Sequence, residues 1–382
     1  MRSLDAFFLI LFTDLHNYVK KRTSRKRFKL EFRLFMARVL IQKEIDVEID
    51  AEILDLMDTA NRYKLFIDPR LQSVARIEST VLFGARKYFN ENGFIEITVP
   101  HITKATGACE NIATMFNLDF FGERRYLSQT GQLYLEVLTP FLDKVFAIGP
   151  SFRAEPSVDE RHLVEFTLIE LEFRGDFKEL LVHIEKIMYN MIQEVIKNCA
   201  NDLQILGVNV DRLTNLSLPF KRITYSEAVE TLQEFGVKWG DDLKSQHEQF
   251  LVEKFGGRPL FVTHFPKTIK FFNMKENDLD PRVVDSADLL LPYSGEAAGA
   301  AEREYEYEKL LHRLSESNML NMLKERGGSI NDFGWYLNYY KKFGGCPHSG
   351  CGIGLNRITQ FILESKDIRK STVWPMNKET VS

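Results

Sequence analysis

A hairpin dense in charge constrains the fold of this chain more than any other stretch of its sequence. Residues 144–155 and 162–173 have the composition of two strands, and a turn at 156–159 (Pro-Ser-Val-Asp) joins them. The side chains that converge near this turn are Arg153, Glu155, Arg161, His162 and Phe166. A chain with this hairpin must fold around a sheet that presents charge on one side.

These side chains suit a nucleotide. An arginine on a rigid strand grips phosphate oxygens with its planar fork and keeps its charge at any physiological pH. An aromatic ring on the neighbouring strand can stack on a base. The competing interpretation is a salt-bridged surface hairpin with a core phenylalanine, and the hairpin alone leaves both open.

A glycine-rich segment near the C-terminus is the second candidate. Residues 350–354 (Gly-Cys-Gly-Ile-Gly) are predicted to form a turn that runs into a helix, with Arg357 in the first helical turn. Glycines permit close backbone approach, and the positive end of a helix favours phosphate. A glycine triplet alone is a weak signal, and the strand and acidic residue of a dinucleotide fingerprint do not follow it.

Two carboxylates, Asp288 and Glu296, flank a short apolar run. Hard cations prefer carboxylate oxygens shared with phosphate, so the pair predicts Mg²⁺ held against a triphosphate. Acids at strand ends are otherwise usually solvated.

Composition indicates an ordinary globular protein, with one large domain and a small extension: 382 residues, 44% hydrophobic and 27% charged. The apolar run at 6–12 is too short to span a bilayer and lacks the features of a secretory signal, so we expect no membrane association. Four irregularly spaced cysteines favour a reducing cytoplasm.

Periodicity predicts the elements. The sequence indicates a helix over 74–89 closed by Asn92-Gly93, a strand over 94–99 ending at Pro100, and a long amphipathic helix over 177–195. The other predicted elements are strands at 115–121, 125–127, 259–266 and 287–291, and a helix at 308–324.

In this order, the segments resemble the three motifs of the class II aminoacyl-tRNA synthetases over residues 67–382. Residues 130–136, 161–166 and 261–266 resemble the aspartate/asparagine subgroup, including asparaginyl-tRNA synthetase and the archaeal-type asparagine synthetase related to it. The resemblance implies an α+β fold, with an antiparallel sheet of about six strands flanked by helices. It also implies a homodimer with the first motif helix and Pro100 at the interface.

The resemblance also assigns roles. It places Arg153 at the ATP α-phosphate, Phe166 on adenine with Glu155 nearby, Arg161 and His162 toward the outer phosphates, and Arg357 across the γ-phosphate. It gives magnesium to Asp288 and Glu296. The amino-acid pocket takes Glu110 and Gln132 near the α-amino group and Arg303 at the side-chain end. The substrate carboxylate attacks the α-phosphorus directly.

The acceptor depends on residues 1–66, which are predicted as a helical extension, basic at 20–33, instead of the five-stranded anticodon-binding barrel usual in this subgroup. Without that barrel, we expect an asparagine-synthetase-like amide ligase that uses aspartate, ATP and ammonia. The alternatives are an asparagine-tRNA ligase with an atypical RNA-binding region, and a catalytically silent paralogue that acts as a binding module.

Departures from the family pattern leave the amino acid open between aspartate and asparagine. Ala300 and Ala301 replace a glycine and a small polar residue, and Leu135 stands where aspartate-specific enzymes place a lysine. Asn356 replaces the glutamate that ordinarily precedes the arginine of the third motif.

Overall fold

The computed structural model describes residues 66–104 and 112–380. The basic N-terminal extension and Glu110 therefore lie outside the described residues. In the part described, no helix is both long and apolar enough to cross a membrane.

The elements of the described residues alternate between helices and strands. The strands are β1 (Ile95–Glu96), β2 (Ile102–Thr103), β3 (Asn117–Phe120), β4 (Glu123–Leu127), β5 (Lys144–Phe152), β6 (Glu165–Phe173), β7 (Lys221–Thr224), β8 (Leu260–Thr263), β9 (Ser286–Leu291), β10 (Gly295–Glu302) and β11 (Ser349–Gly354). The α-helices are α1 (Pro69–Glu91), α2 (Gln132–Glu136), α3 (Thr139–Leu142), α4 (Phe177–Asn198), α5 (Ala200–Ile205), α6 (Val210–Thr214), α7 (Tyr225–Thr231), α8 (Ser245–Lys254), α9 (Tyr307–Glu316), α10 (Asn318–Glu325), α11 (Gly334–Phe343) and α12 (Leu355–Leu363).

Eight of these strands form the main sheet, in the order β1-β5-β6-β11-β10-β9-β8-β7. The six central strands pair antiparallel, whereas the edge strands β1 and β7 pair parallel to β5 and β8. The predicted α+β fold with an antiparallel sheet flanked by helices is confirmed. The two parallel edge strands are the part that the prediction did not include.

Helices α1 and α4 cover one face of the sheet. Their apolar stripes, which include Ile77, Val81, Ile184 and Met188, are fully buried in the largest core of the described residues. A capping box at Asp176 begins α4, because its side chain accepts from the backbone of Glu179. The predicted amphipathic helix is confirmed, and its covered face leaves the opposite side of the sheet for a site.

Strand β6 separates core from site by simple alternation. Ile169, Leu171 and Phe173 point into the core beneath α4. The alternate side chains line a cavity on the other face, namely Phe166, Leu168, Glu170 and Glu172. Since successive side chains of a strand point to opposite faces, this one strand serves stability and site together.

Four predicted elements differ from the structure. The hairpin strands are shorter than predicted, because β5 ends at Phe152 and β6 begins at Glu165, so Arg153, Glu155, Arg161 and His162 lie in the connection between them. The segment 350–354 is not a turn but the central strand β11, and a Cβ at Gly350 would collide with the Glu172 carboxylate on β6. The predicted helix 308–324 is two helices, because Ser317 is extended and caps α10 by accepting from the backbone of Leu320. The predicted strand 94–99 contracts to Ile95–Glu96.

Candidate active site

A cavity of about 640 Å³ lies on the face of the sheet opposite α1 and α4. Strands β6, β10 and β11 form its floor, and the connection between β5 and β6 forms part of its wall. Every predicted site residue in the described part of the chain lines it, namely Gln132, Arg153, Glu155, Arg161, His162, Phe166, Asp288, Glu296, Arg303 and Arg357. The volume is within the range of sites for small molecules and cofactors.

Asp159 organises the connection between β5 and β6. Its Oδ1 accepts from the backbone nitrogen of Arg161 at 2.8 Å, and from the backbone nitrogen and Nδ1 of His162 at 2.9 Å. Burial opposes ionisation, but the hydrogen bonds from His162 and Arg161 hold the pKa of Asp159 below its ordinary value. A charged Asp159 thus fixes both basic residues in one turn.

Arg153 and Phe166 form a cation–π pair at the end of the hairpin where β5 is connected to β6. The guanidinium carbon of Arg153 lies 5.2 Å from the ring centroid of Phe166, and its backbone nitrogen donates to Val164 at 2.8 Å. The pair presents a phosphate-binding fork beside a flat ring, which is the combination that a nucleotide requires.

Arg357 lies in the first turn of α12, as predicted. Its Nη1 donates to the carbonyl of Ser294 at 2.6 Å, and its Nη2 to the carbonyl of Arg161 at 2.8 Å. Burial and the nearby positive charge of Arg161 lower the pKa of Arg357 to about 10. The guanidinium therefore stays charged at neutral pH and adds to a cationic wall.

The two predicted metal ligands lie on neighbouring strands. Asp288 on β9 pairs with Gly299, and the Glu296 side chain on β10 also approaches Gly299, so both carboxylates reach the same part of the cavity. Lys270 Nζ lies 2.9 Å from each carboxylate oxygen of Asp288. Both oxygens of Asp288 thus already balance the positive charge of Lys270.

A buried network of charged and polar groups surrounds the opposite end of the cavity. Arg303 pairs with Glu172 at 2.7 Å and lies 3.9 Å from Glu136. Glu136 accepts hydrogen bonds of 2.6 Å from Gln132 Nε2 and the Tyr336 hydroxyl. Burial raises the pKa of Glu172 to about 7, with Arg303 opposing the shift and Glu136 adding to it. The network fixes Gln132 and Arg303 in place.

Glu170 also lies at this end, on the same face of β6. Its carboxylate accepts from the backbone nitrogen of Gly131 at 2.9 Å and from the Thr130 hydroxyl. Burial raises the pKa of Glu170, although these donors, Arg303 and Arg153 act in the opposite direction. Glu170 is therefore a second carboxylate of β6, beside Glu172, that faces the cavity.

Sequence reasoning missed several of these residues. The missed side chains are Glu136, Asp159, Glu170, Glu172, Glu248 and Lys270. One signal was available for two of them, because Glu170 and Glu172 share the alternation of Phe166 in a strand that is otherwise mostly apolar.

The residues that depart from the family pattern have different surroundings. Ala300 lines the cavity, while Ala301 is fully buried in a core cluster. Leu135 is also fully buried, packed in a core cluster with Val99 and Val145. Asn356 lines the cavity and donates to Glu78 at 3.3 Å.

The sheet is mainly antiparallel, and one nucleotide-sized cavity on it is lined by arginines, carboxylates and an aromatic ring. This combination defines a class II synthetase-type catalytic domain. The sequence profile described as tRNA synthetases class II (D, K and N) matches residues 55–378. The chain belongs to this family of class II tRNA synthetases, and it is an ATP-dependent, adenylate-forming ligase.

Two curated relatives and two solved structures that this chain resembles carry names for the same enzyme, asparagine–tRNA ligase or asparaginyl-tRNA synthetase. The chain is 39% identical to the asparagine–tRNA ligase of Pyrococcus abyssi over 311 residues, which are 80% of this chain and 69% of that protein. It is 38% identical to that of Desulforamulus reducens over 324 residues, 84% and 72% of the two chains.

Two solved structures are similar to the fold described here. Asparaginyl-tRNA synthetase from Pyrococcus horikoshii, complexed with asparaginyl-adenylate, has a TM-score of 0.76 at 36% identity and covers 85% of this chain and 72% of its own. The Entamoeba histolytica enzyme with the same adenylate has a TM-score of 0.74 at 30% identity and covers 87% and 72%. These likenesses do not support our expectation of an asparagine-synthetase-like amide ligase, and they favour the tRNA ligase alternative.

Proposed function

We propose that this protein is an asparagine–tRNA ligase. It activates asparagine with ATP, forming asparaginyl-adenylate and pyrophosphate, and then transfers the asparaginyl group to tRNA. The observation that supports asparagine most directly is the charge balance around Arg303, whose guanidinium already lies 2.7 Å from Glu172 and 3.9 Å from Glu136.

A neutral side chain suits this balance better than an anionic one. The β-carboxylate of aspartate would bring a further negative charge to Glu170, Glu172 and Glu136, with Arg303 as the nearby guanidinium. Like charges in a buried site repel strongly. The amide of asparagine can instead accept from Arg303 and donate to a carboxylate, so the same groups that bind asparagine disfavour aspartate.

The α-amino group has a partner in Gln132. Its Nε2 donates to Glu136, so the amide oxygen is the acceptor that Gln132 offers to an ammonium group. The predicted second partner, Glu110, lies outside the described residues. Together these assignments direct the substrate α-carboxylate along β6 toward Arg153.

Adenylation then follows from alignment and charge. A carboxylate oxygen of asparagine attacks the α-phosphorus of ATP, and the bond from that phosphorus to the β-phosphate oxygen breaks to release pyrophosphate. Arg153 stabilises the charge that develops on the α-phosphate, with Phe166 on the adenine and Glu155 beside it. Arg161, His162 and Arg357 hold the outer phosphates.

The carboxylates at the end of the cavity assigned to the outer phosphates suit Mg²⁺. Asp288 and Glu296 supply the oxygen ligands that the ion prefers, and Mg²⁺ usually takes only one or two carboxylates beside substrate phosphates. Asp288 already contacts one cation, the Lys270 ammonium. When bound, Mg²⁺ would neutralise charge on the outer phosphates.

We infer tRNA, not ammonia, as the acceptor because the relatives above are named asparagine–tRNA ligases. A cytoplasmic location and a homodimer through Pro100 stay predictions. The exposed apolar residues Ile95 and Ile102, on either side of Pro100, suit a partner surface. Residues 1–66 are the candidate for additional RNA contacts.

The test is ATP–pyrophosphate exchange with asparagine and aspartate separately, followed by product analysis with tRNA, ammonia and hydroxylamine. We expect asparagine-dependent exchange and asparaginyl-tRNA. Aspartate-dependent exchange with free asparagine formed from ammonia would restore the amide-ligase hypothesis. No exchange with either amino acid would contradict both.

A further inference from the structure

A closed ring of contacts surrounds the end of the cavity where the outer phosphates are assigned. Arg357 donates to the carbonyls of Ser294 and Arg161. Arg161 Nη2 lies 3.2 Å from Glu248 Oε2, and the same oxygen accepts from the backbone nitrogen of Glu296 at 3.3 Å. Glu248 is therefore the member that joins the cationic wall to the strand that carries a predicted metal ligand.

Glu248 reaches this ring from a separate part of the chain. It lies on α8, between β7 and β8, and the next turn of that helix anchors it through Leu251 and Val252, which are buried in a core cluster. A residue three or four positions away lies on the same helix face, so this anchor fixes the direction of Glu248. The Glu248 side chain is 11% exposed, so its position is well defined.

The β10 backbone that faces Glu248 leaves room for its side chain. Gly295, the first residue of β10, has φ +69°. A Cβ at this position would lie 2.6 Å from Glu248 Oε2 and 3.0 Å from Arg161 Nη2. Glycine is therefore required both by the backbone conformation and by the contact between carboxylate and guanidinium.

We propose that Glu248 is a positioning residue for ATP. It orients the Arg161 guanidinium toward the outer phosphates and fixes the backbone of Glu296, without touching ATP itself. This inference deepens the proposed function and rests on the phosphate roles assigned there. A simple charge argument gives the opposite expectation, because removing an anion near three arginines would strengthen the binding of a polyanion.

The experiment compares Glu248→Ala and Glu248→Gln, with Glu253→Ala as the matched control, since Glu253 lies exposed on the same helix. Binding of MgATP is measured by calorimetry, and KM for ATP and for asparagine by pyrophosphate exchange. For Glu248→Ala we expect about tenfold weaker ATP binding, the size of effect of one lost hydrogen bond to a charged group. Glutamine keeps an oxygen acceptor for both donors and should restore most of the affinity.

The KM for asparagine should stay within about twofold in both variants, because a positioning effect on Arg161 is local. In an Arg161→Ala background, Glu248→Ala should weaken ATP binding by less than it does in wild type, since coupled residues are not additive and only the contact with the Glu296 backbone is left to lose. Tighter or unchanged ATP binding in Glu248→Ala, or equal loss for both substrates, would overturn the proposal.

The two proposals fail in different ways. Wild-type protein that binds MgATP but gives no asparagine-dependent exchange would remove the proposed function and leave the calorimetric test of Glu248 intact. Exchange that is normal in wild type and unaffected by Glu248→Ala would overturn the positioning role alone. Wild type that binds no MgATP would overturn both.

Discussion

Replacement of Glu170 by Gln is the sharpest test of amino-acid selection. The change keeps the size of a side chain that is nearly fully buried and lines the cavity, and it removes its charge. We expect weaker use of asparagine and stronger relative use of aspartate. Both effects come from one carboxylate, so their free energies add in the ratio of kcat/KM for asparagine to kcat/KM for aspartate.

The magnitude follows from two contributions. A hydrogen bond from the asparagine amide to a charged acceptor contributes roughly 1.5–3 kcal/mol, so its loss lowers kcat/KM for asparagine by about ten- to a hundredfold. Two like charges 4 Å apart repel by about 4 kcal/mol at an effective dielectric constant of 20, which is the upper limit of what aspartate regains. The asparagine preference should therefore fall by at least about tenfold, and by more to the extent that aspartate regains the repulsion.

Pyrophosphate exchange over a range of each amino acid, at saturating ATP, measures this ratio. Glu165→Gln is the matched control, because Glu165 lies on the same strand with an exposed side chain. It should leave the preference between asparagine and aspartate unchanged, whatever it does to ATP. A Glu170→Gln protein that folds normally and keeps its full asparagine preference would refute the charge argument.

Three further predictions concern other parts of the cavity and its supports. Arg153→Ala should abolish exchange while circular dichroism shows an intact fold, and unchanged exchange would refute its assigned role at the α-phosphate. Burial raises the pKa of Glu78 from 4.5 to about 7, so the free energy of unfolding should fall as pH rises from about 4.5 to 7, by at most about 3 kcal/mol. Glu78→Gln should flatten that profile in urea titrations, and an unaltered slope would contradict the assignment. Gly350→Ala should lower stability by about 1–3 kcal/mol and raise KM for asparagine, because the new methyl group displaces Glu172. A fully active and equally stable variant would count against this packing of Glu172 on Gly350.

The sequence predicted the elements whose signals are local. The helix α4 carries an apolar stripe and a capping box, and the end of α1 carries Asn92-Gly93, with Gly93 at φ +76°. These features depend only on neighbours in the chain. The site residues of the hairpin were also predictable, since they lie in, or directly beside, the short connection between two strands that pair with each other.

The missed features depend on partners distant in sequence. The glycines of β11 suggest a turn until Glu172 on β6 is seen to fill the space above Gly350. Strand β10 is rich in alanine and glycine, so it lacks the β-branched residues that indicate a strand. Glu136 and Glu248 look like surface acids on short helices, and only tertiary contacts reveal them as buried partners of Arg303 and Arg161.

The alternation along β6 has a consequence for how such an enzyme can change. Its even-numbered positions from Phe166 to Glu172 meet the cavity, while Ile169 and Leu171 meet the core. Substitutions at even positions act first on substrate use, and those at odd positions act first on folding, except at Glu172, where the loss of the buried pair with Arg303 costs stability as well. A saturation-mutagenesis survey of this strand should therefore record activity losses at even positions and abundance losses at odd positions, with Glu172 showing both.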